Sequence, residues 1–311
     1  MMRTRILGTG RGVPPKVLTN HDLEKIVDTS DTWIAERTGI RERRVLDESL
    51  DASDLSAEAA RNALAAAEVR AADLDAIIVG TVTPDMPMPA SAVLVQKKIG
   101  AGTCPAFDLS AACAGFIYGL TIADAMVRTG GYRRILVIGV EVLTRVLDWT
   151  DRNTCVLFGD GAGAVIVGPE DGDRGILSTH IQADGTGWEH LYQPLGGKVK
   201  MAGRAVFSQA VKNISSSCLH TLEQNKMTAA DVDLVVAHQA NLRILEAVAQ
   251  RCGLPMSKFY LNIHKYGNTS SASIPIALDE AVRDGTVKPG MNVLMCALGA
   301  GLSWGSAMCR W

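Results

Sequence analysis

Cys113 is the residue whose surroundings most favour nucleophilic chemistry. It lies among small residues in the stretch Asp108–Phe116, where a strand-like run gives way to a helical pattern that lasts to Val127. Free N–H groups and the dipole at a helix start favour an anion, which lowers the pKa of a thiol placed there. The pattern predicts a reactive cysteine at or near the first turn of a helix. The alternative is a small buried packing residue.

His238 and Asn268 are two further polar residues in positions that suit a ligand site. His238 follows the apolar run Val235–Ala237, at the carboxyl end of a predicted buried strand, where sites in α/β proteins tend to lie. Asn268 lies in the segment Lys265–Ser271, ahead of a predicted helix. Taken alone, each has a structural alternative, as a core histidine or as the N-cap of that helix.

Two glycine-containing motifs resemble known sites but lack the context that those sites need. Gly301–Gly305 fits the pattern Gly-x-Ser-x-Gly, but a nucleophile elbow needs a helix and then an acid and a histidine downstream, and only six residues follow. A serine hydrolase built on Ser303 is therefore a remote alternative. Gly8–Gly12 runs into the segment Val13–Pro15, which leaves no helix N-terminus to bind a pyrophosphate.

An internal repeat indicates how the chain is organised. Ala71–Val79 recurs as Ala229–Ala237, an offset of 158 residues (229 − 71). The same offset relates the apolar run Ile135–Ile138 to Val293–Cys296. Apolar runs of this kind are typical of strands that are buried on both faces.

Each copy of the repeat also contains a predicted helix between its two strands. These helices cover about Ala114–Gly130 and Ser273–Gly285, and each ends on a basic residue followed within two residues by glycine, although here the offset is 155 (285 − 130). The turn-rich segment Gly168–Gly175 separates the copies. We predict two similar α/β halves related by a pseudo-twofold axis, residues 1–168 with the cysteine and residues 169–311 with the histidine and asparagine.

Composition excludes several classes of function. The 311 residues carry a net charge of −2 and are 47% hydrophobic, which argues against a nucleic-acid partner because duplex binding relies on many Lys and Arg contacts with phosphate. No apolar run reaches the roughly 18 residues of a membrane span, and Gly8 and Gly10 interrupt the start of the chain. We expect a soluble, cytoplasmic protein without membrane insertion. The seven cysteines show no Cys-x-x-Cys spacing, so no metal site is predicted.

Taken together, these motifs closely resemble the β-ketoacyl-acyl carrier protein synthase III family over essentially the whole chain. The most specific stretches are Asp28–Ile34, Arg37–Arg43, Ala111–Gly115, Phe158–Gly163, His238–Arg243 and Gly267–Ser270. The resemblance implies a thiolase-like, five-layered α-β-α-β-α fold of two duplicated halves, as a homodimer. It also implies that Cys113, His238 and Asn268 form a catalytic triad, with the backbone N–H of Ala300 helping to bind an oxyanion.

The resemblance further implies which residues bind the substrates. Trp33 and Arg152 would hold the adenine of coenzyme A between an indole face and a guanidinium, and Arg37 would contact its phosphates. The stretch Gln239, Ala240, Asn241, Leu242 and Arg243 corresponds to the part of the family that binds the acidic acyl carrier protein (ACP). Coenzyme A thioester is then a substrate, and no permanently bound cofactor is expected.

The implied reaction loads an acyl-CoA primer on Cys113 and then condenses it with malonyl-ACP, with loss of carbon dioxide, to initiate fatty-acid synthesis. The primer pocket places Met88, reaching across the dimer, and Leu298 where well-known members have aromatic residues. The middle residue of Gly299–Gly301 is alanine instead of the usual glycine, and Trp188–Lys200 is shorter than usual. These departures predict a pocket that admits a primer larger than acetyl.

Alternatives to this interpretation concern the acceptor and the catalytic status of the chain. Some relatives in specialised metabolism pass the acyl group from the cysteine to another acceptor, and the sequence alone does not distinguish them. A non-catalytic partner subunit of a condensing enzyme is a further alternative. Such subunits usually lack the nucleophile, so Cys113 argues against it.

Overall fold

The structure is a computed structural model that describes residues 2–311. Its strands are β1 (Met2–Gly12), β2 (Val17–Thr19), β3 (Glu42–Arg44), β4 (Ala76–Gly80), β5 (Ala106–Leu109), β6 (Ile135–Val142), β7 (Asp160–Asp171), β8 (Gly175–Ala183), β9 (Leu191–Tyr192), β10 (Lys200–Met201), β11 (Leu234–Ala237), β12 (Asn292–Gly299) and β13 (Ser303–Arg310). Its helices are α1 (Asn20–Leu23), α2 (Asp31–Thr38), α3 (Ala52–Ala67), α4 (Ser91–Ile99), α5 (Gly115–Arg128), α6 (Gly203–Gln224), α7 (Leu242–Cys252), α8 (Ile263–Tyr266) and α9 (Ser273–Arg283). Short 3₁₀ turns precede several elements, among them Ala112–Ala114 and Ser270–Ala272.

Two sheets and three helical layers form the fold. One sheet has the strand order β1-β7-β6-β4-β5 and the other has the order β11-β12-β13-β8. Helices α3 and α4 cover the outer face of the first sheet, α6 and α7 cover the outer face of the second, and α5 and α9 pack between the sheets. The predicted α-β-α-β-α layering is confirmed.

The internal repeat is present in three dimensions, including its strand register. Ala76 pairs with Ile135 in the first sheet and Leu234 pairs with Val293 in the second, so both partners shift by 158 (234 − 76 and 293 − 135). Backbone conformation follows the same offset. Ala112 and Ser270 (270 − 112 = 158) both adopt positive φ, of 46° and 48°. The two halves therefore share one topology, and they also share the unusual positive φ at equivalent positions.

The connection between the halves is a tight turn. Strand β7 ends at Asp171 in the first sheet, and β8 begins at Gly175 in the second. The division that we drew from the sequence, between residues 168 and 169, falls inside β7. Strand pairing assigns residues 2–171 to the first half.

Glycines in β1 allow a helix to lie directly on the first sheet. A Cβ atom at Gly10 would come within 2.3 Å of the Ala59 carbonyl oxygen in α3, and one at Gly12 within 2.4 Å of the Leu55 carbonyl oxygen. The segment Gly8–Gly12 is thus part of a strand that packs against a helix backbone, in agreement with our rejection of a dinucleotide loop. Within residues 2–311, no helix combines the length and apolar character needed to cross a membrane.

Candidate active site

Three predicted residues that lie far apart in the chain line one cavity. Cys113, His238 and Asn268 all border a cavity of about 800 Å³ that opens to the surface. Their exposed fractions are only 6%, 2% and 7%, so the three groups lie at its inner end. The first half supplies the thiol, and the second half supplies the imidazole and the amide.

The ends of parallel strands bring these residues together. Cys113 lies in the 3₁₀ turn between β5 and α5, and His238 follows directly after β11. Asn268 lies between α8 and the 3₁₀ turn before α9. Helices α5 and α9 share the core between the sheets, and the 3₁₀ turns before them contact each other, which carries Cys113 and Asn268 to the same place.

The ionisation state of Cys113 differs from our expectation. Burial raises its pKa to about 12, and the nearby carboxyl of Glu141 adds to this shift, whereas the Ser270 hydroxyl opposes it. The reason is position, because α5 begins at Gly115 and the sulfur lies in a buried turn before it. Desolvation outweighs the helix end here, so the predicted lowering of the Cys113 pKa is wrong.

His238 is held as a neutral donor. Its Nδ1 lies 3.0 Å from the Ser273 hydroxyl oxygen, and that oxygen also accepts the N–H of Gln239 at 2.7 Å. The Ser273 proton is therefore available for Nδ1, which places the imidazole proton on Nε2. Burial lowers the His238 pKa to about 3, so the ring stays uncharged near neutral pH.

We expect the His238 imidazole to show no titration from about pH 8 down to about pH 5. Because its folded pKa lies below the ordinary value of 6.5, protonation below 6.5 favours the unfolded state, and His238 lowers stability progressively as the pH falls toward 3. NMR of ¹⁵N-histidine protein measures this directly, with a His238→Gln variant to assign the signal. A ring signal that titrates near pH 6.5 would contradict the neutral assignment.

Hydrogen bonds also fix the amide of Asn268. Its Oδ1 accepts the backbone N–H of Ser270 at 2.8 Å, and its own backbone N–H donates to the Leu157 carbonyl at 2.8 Å. With the oxygen engaged, the Nδ2 group is the part of the amide available to the cavity. Asn268 is therefore suited to donate a hydrogen bond to a negatively charged oxygen.

The mouth of this cavity is strongly basic. The lining of the whole cavity includes four arginines, all with exposed side chains, and, among the residues described, no aspartate or glutamate. These arginines are Arg37, Arg152, Arg204 and Arg243. The sequence analysis did not single out Arg204, which lies at the start of α6 outside any recognised motif. Such a mouth suits a substrate that carries phosphate groups.

Trp33 lies between two of these arginines. The Arg37 guanidinium is 4.8 Å from the indole centroid, and that of Arg152 is 5.1 Å from it. Stacked rings are separated by about 4.5–7 Å between centroids, so no adenine fits between Trp33 and Arg152 in this arrangement. The predicted sandwich therefore requires the Arg152 side chain to move outward when a ligand binds.

The structure corrects one member of the predicted carrier-protein stretch. Gln239 is 1% exposed, and its side chain bonds to the backbone of Ala237, Tyr260, Asn262 and Ile263. A side chain enclosed in this way cannot contact a protein partner, so its assignment to a binding surface is wrong.

The rest of the stretch lies at or near the surface. Asn241 caps α7 by accepting the N–H of Arg243 at 2.9 Å, and the exposed side chain of Arg243 borders the cavity mouth. Ala240 also lines the cavity, and Leu242 is partly exposed. These four residues remain predicted contacts of a carrier protein.

A second cavity of about 500 Å³ meets the first at Cys113. It is lined by Ala300, as expected for a backbone near the thiol, and by Met86 and Pro87. Met88, in contrast, is 83% exposed and borders neither cavity of its own chain, and Leu298 lines the first cavity. The two residues that we assigned to one primer pocket therefore lie apart, and a contribution of Met88 to a partner's pocket stays a prediction.

No metal-binding cluster accompanies these groups in the part of the chain described. Across residues 2–311, no set of three or more His, Cys, Asp or Glu side chains is arranged to hold a metal ion. All seven cysteines are free thiols.

Comparison with known proteins identifies the fold class first. The solved structure of 3-oxoacyl-[acyl-carrier-protein] synthase III from Aquifex aeolicus superposes with a TM-score of 0.97 and 48% identity, covering 99% of this chain and 100% of that one. The priming β-ketosynthase of a polyketide biosynthetic pathway superposes with a TM-score of 0.93 and 38% identity, covering 99% of this chain and 96% of that one. The chain therefore has the thiolase-like fold of a condensing enzyme, an acyltransferase.

Sequence comparison then gives the family. The profile of 3-oxoacyl-[acyl-carrier-protein] synthase III matches residues 107–185, and the profile of its C-terminal part matches residues 222–311. The β-ketoacyl-[acyl-carrier-protein] synthase III of Caldanaerobacter subterraneus is 51% identical, over 98% of this chain and 97% of that protein. The chain belongs to the β-ketoacyl-[acyl-carrier-protein] synthase III family.

Proposed function

We propose that this enzyme transfers an acyl group from acyl-CoA to Cys113 and then condenses it with malonyl-ACP to form β-ketoacyl-ACP, the first condensation of fatty-acid synthesis. The observation that carries the proposal is the convergence of Cys113, His238 and Asn268 at the inner end of one cavity. Relatives that are 51% and 49% identical in sequence over 98% and 100% of this chain are named for this activity.

The first half-reaction needs a sulfur nucleophile and a site for the oxyanion. Cys113 supplies the sulfur, and the acyl-enzyme that it forms splits one difficult step into two easier ones. The end of β12, directly before Ala300, lies against the cysteine, because a Cβ atom at Gly299 would come within 2.5 Å of the Cys113 nitrogen. This proximity supports the backbone N–H groups of Cys113 and Ala300 as donors to the tetrahedral oxyanion.

The second half-reaction needs a carbanion without a strong base. Loss of carbon dioxide from malonyl-ACP produces an enolate, whose oxygen gains negative charge. The Nε2–H of neutral His238 and the Nδ2 group of Asn268 are suited to donate to that oxygen. Both are oriented by hydrogen bonds on their far sides, so little reorganisation is needed as the charge develops.

Trp33 and the arginines at the cavity mouth are the proposed binding residues for coenzyme A, which is a substrate here and is not held permanently. Their charge complements its phosphates, and the indole offers a stacking surface for adenine. We also propose that ACP docks beside Arg243, whose exposed side chain supplies positive charge for an acidic partner.

We expect Trp33→Ala to raise KM for acyl-CoA roughly 5- to 150-fold with little change in kcat, because base–aromatic stacking contributes about 1–3 kcal/mol. Steady-state kinetics with varied acyl-CoA measures the effect. Trp188→Ala is the matched control, since Trp188 is 52% exposed and lies outside both cavities. An unchanged KM in Trp33→Ala would remove the indole from the binding site.

A homodimer is the proposed assembly, and β5 is its proposed contact. This strand ends the first sheet, and its outer edge pairs with no strand of residues 2–311. The nearby Met88 is 83% exposed, and the second cavity lies beside the same edge. Pairing of two β5 edges would cover these features and bring the Met88 loop of each copy to the other. Since its substrates are acyl-CoA and a soluble carrier protein, the proposed location is the cytoplasm.

The primer is proposed to be larger than acetyl. The second cavity, which starts at Cys113, has a volume of about 500 Å³, and its lining includes Val82, Leu109, Leu143 and Val199. Intact-protein mass spectrometry after incubation with a panel of acyl-CoAs tests loading and primer preference together, because the added mass identifies the acyl group. A wide preference for acetyl-CoA would refute the larger primer, and loading on a residue other than Cys113 would refute the proposed function.

A second candidate is a condensing enzyme that primes a specialised pathway. The observation in its favour is the similarity to the priming β-ketosynthase of a polyketide pathway, at 38% identity. Competition between malonyl-loaded carrier proteins of the two kinds of pathway distinguishes these candidates, since the preferred carrier gives the higher kcat/KM.

A further inference from the structure

Glu141 is a buried carboxyl that the proposed reaction leaves without a role. It lies near the end of β6, is 0% exposed, and forms no salt bridge within residues 2–311. A buried carboxyl without a cationic partner is costly, so its presence near Cys113 indicates a function.

Hydrogen-bond donors surround both carboxyl oxygens of Glu141. Oε2 accepts from the Thr83 hydroxyl at 2.7 Å and from the Val82 N–H at 3.1 Å. Oε1 accepts from the hydroxyls of Ser270 and Ser271, each at 3.1 Å. These contacts stabilise the carboxylate, whereas burial opposes it, and the result is a pKa raised to about 7. The group can therefore take up or release a proton near neutral pH.

Ser270 connects this carboxyl to the nucleophile. Its hydroxyl donates to Glu141, and its turn, Ser270–Ala272, contacts the turn that carries Cys113, so that both residues line the second cavity. Because its single proton points toward Glu141, its oxygen is free to accept the thiol proton. Ser271 donates to the same carboxyl oxygen, but its other hydrogen-bonding contacts are the carbonyls of Gly80 and Val140. Of the two serines, only Ser270 lines the second cavity together with Cys113.

Cys113 needs a proton acceptor, since its resting form is a thiol. His238 is a poor candidate, because its Nδ1 faces Ser273 and its burial strongly disfavours the charged ring. The side chains that influence the Cys113 thiol are Ser270 and, beyond it, Glu141. Glu141 faces Cys113, the backbone of Val82 and nearby serine and threonine hydroxyls, and its hydrogen-bonding partners within residues 2–311 include no arginine, lysine or histidine.

We propose that Glu141 accepts the proton of Cys113 through the hydroxyl of Ser270 when the acyl group is loaded. The S–H bond breaks as its proton passes to Ser270, and the Ser270 proton passes to Glu141. The thiolate attacks the thioester carbonyl, and the bond from that carbon to the sulfur of coenzyme A breaks. The released coenzyme A thiolate then regains a proton from Glu141 by the same route, so acyl-CoA and the enzyme thiol give acyl-enzyme and free coenzyme A. This inference rests on the proposed function.

The test is the pH dependence of single-turnover acyl transfer from acetyl-CoA and from a longer acyl-CoA to the full-length enzyme. In the unmodified enzyme we expect the rate to rise tenfold per pH unit up to about pH 7 and then to level, because Glu141 must be ionised to accept the proton. Ser270→Ala and Glu141→Gln are expected to slow transfer at neutral pH by roughly 10²- to 10⁴-fold. In both variants the rate should rise with pH throughout, without the levelling near pH 7.

Ser270→Ala is the sharper variant, because it removes the bridge and leaves the carboxyl. The equivalent position in the first half is an alanine, Ala112, with nearly the same φ, so an alanine is compatible with this backbone. Ser271→Ala is the matched control. It also removes one hydrogen bond from Glu141, but it should keep the levelling near pH 7 and change the rate less than Ser270→Ala.

The outcomes separate this inference from the proposed function. If the unmodified enzyme acquires no acyl group on Cys113, the proposed function fails. If it does, but Ser270→Ala retains the rate and the pH profile, the proton route is refuted. If Ser270→Ala and Ser271→Ala slow acyl transfer equally and leave its pH profile unchanged, the proton route is also refuted. That result would mean that the serines only stabilise the structure of their turn. Malonyl-ACP decarboxylation should persist in Ser270→Ala, since the backbone N–H that orients Asn268 is retained.

Discussion

Cys113→Ala is expected to abolish acyl-enzyme formation and to lower condensation on the order of 10⁴-fold or more, because the covalent intermediate can no longer form. Intact-protein mass spectrometry after incubation with acyl-CoA should show no added mass, and β-ketoacyl-ACP formation should fall to background. Slow loss of carbon dioxide from malonyl-ACP should continue, since the proposed enolate donors, His238 and Asn268, are unchanged.

Cys309→Ala is the control for this experiment. Cys309 is also buried, and its pKa is likewise raised to about 12 by desolvation, but it lies in β13 and lines neither cavity. It should load acyl groups as the unmodified enzyme does. Retention of acyl loading in Cys113→Ala, on any other residue, would contradict the assignment of the nucleophile.

Asn268→Ala is expected to lower condensation roughly 100- to 1000-fold while acyl transfer to Cys113 changes much less. The amide donates to the enolate oxygen, which exists only in the second half-reaction, so the loss should appear in kcat for condensation and not in the rate of loading. Separate assays of coenzyme A release and of carbon dioxide release measure the two steps.

The matched control is Asn262→Ala. Asn262 is also buried, and its amide donates to Glu280 at 3.0 Å, outside the cavity. It should lose stability without a selective effect on either half-reaction. An Asn268→Ala variant that loses both half-reactions equally would show that the amide supports the site as a whole, and the proposed division between the two steps would fail.

The repeat made the architecture predictable from the sequence. Apolar strand runs at an offset of 158 residues anticipated two equivalent sheets, and their register agrees to the residue. Glycine and basic residues at the helix ends anticipated the extents of α5 and α9 to within a few residues. Apolar runs and helix-end residues are local features of the sequence, and they form the same strands and helix ends in the folded protein.

The electrostatics of the site was not predictable in the same way. The motif around Cys113 indicated a helix start, but the extent of burial that raises its pKa depends on segments far away in the chain. Gln239 adjoins residues at the surface, yet its side chain turns inward to the backbone of residues 260–263. Both errors came from inferring an environment from neighbours in sequence.

Glu141 carried a signal that our sequence analysis did not use. It is the charged residue in the otherwise apolar strand Ile135–Val142, and an acid in a strand buried on both faces must have a partner or a function. Its partners, Ser270 and Ser271, lie more than 120 residues away in the chain. The sequence could have marked the residue, but only the fold shows what it contacts.

The position of Cys113 in the lining of both cavities has a kinetic consequence. With the acyl chain held in the second cavity, spent coenzyme A can depart through the basic mouth of the first before the carrier arm enters by the same opening. Initial-rate plots should then be parallel, as in a ping-pong mechanism. Free coenzyme A should compete with malonyl-ACP for the acylated enzyme. The cellular ratio of free coenzyme A to malonyl-ACP would then control the rate of the first condensation.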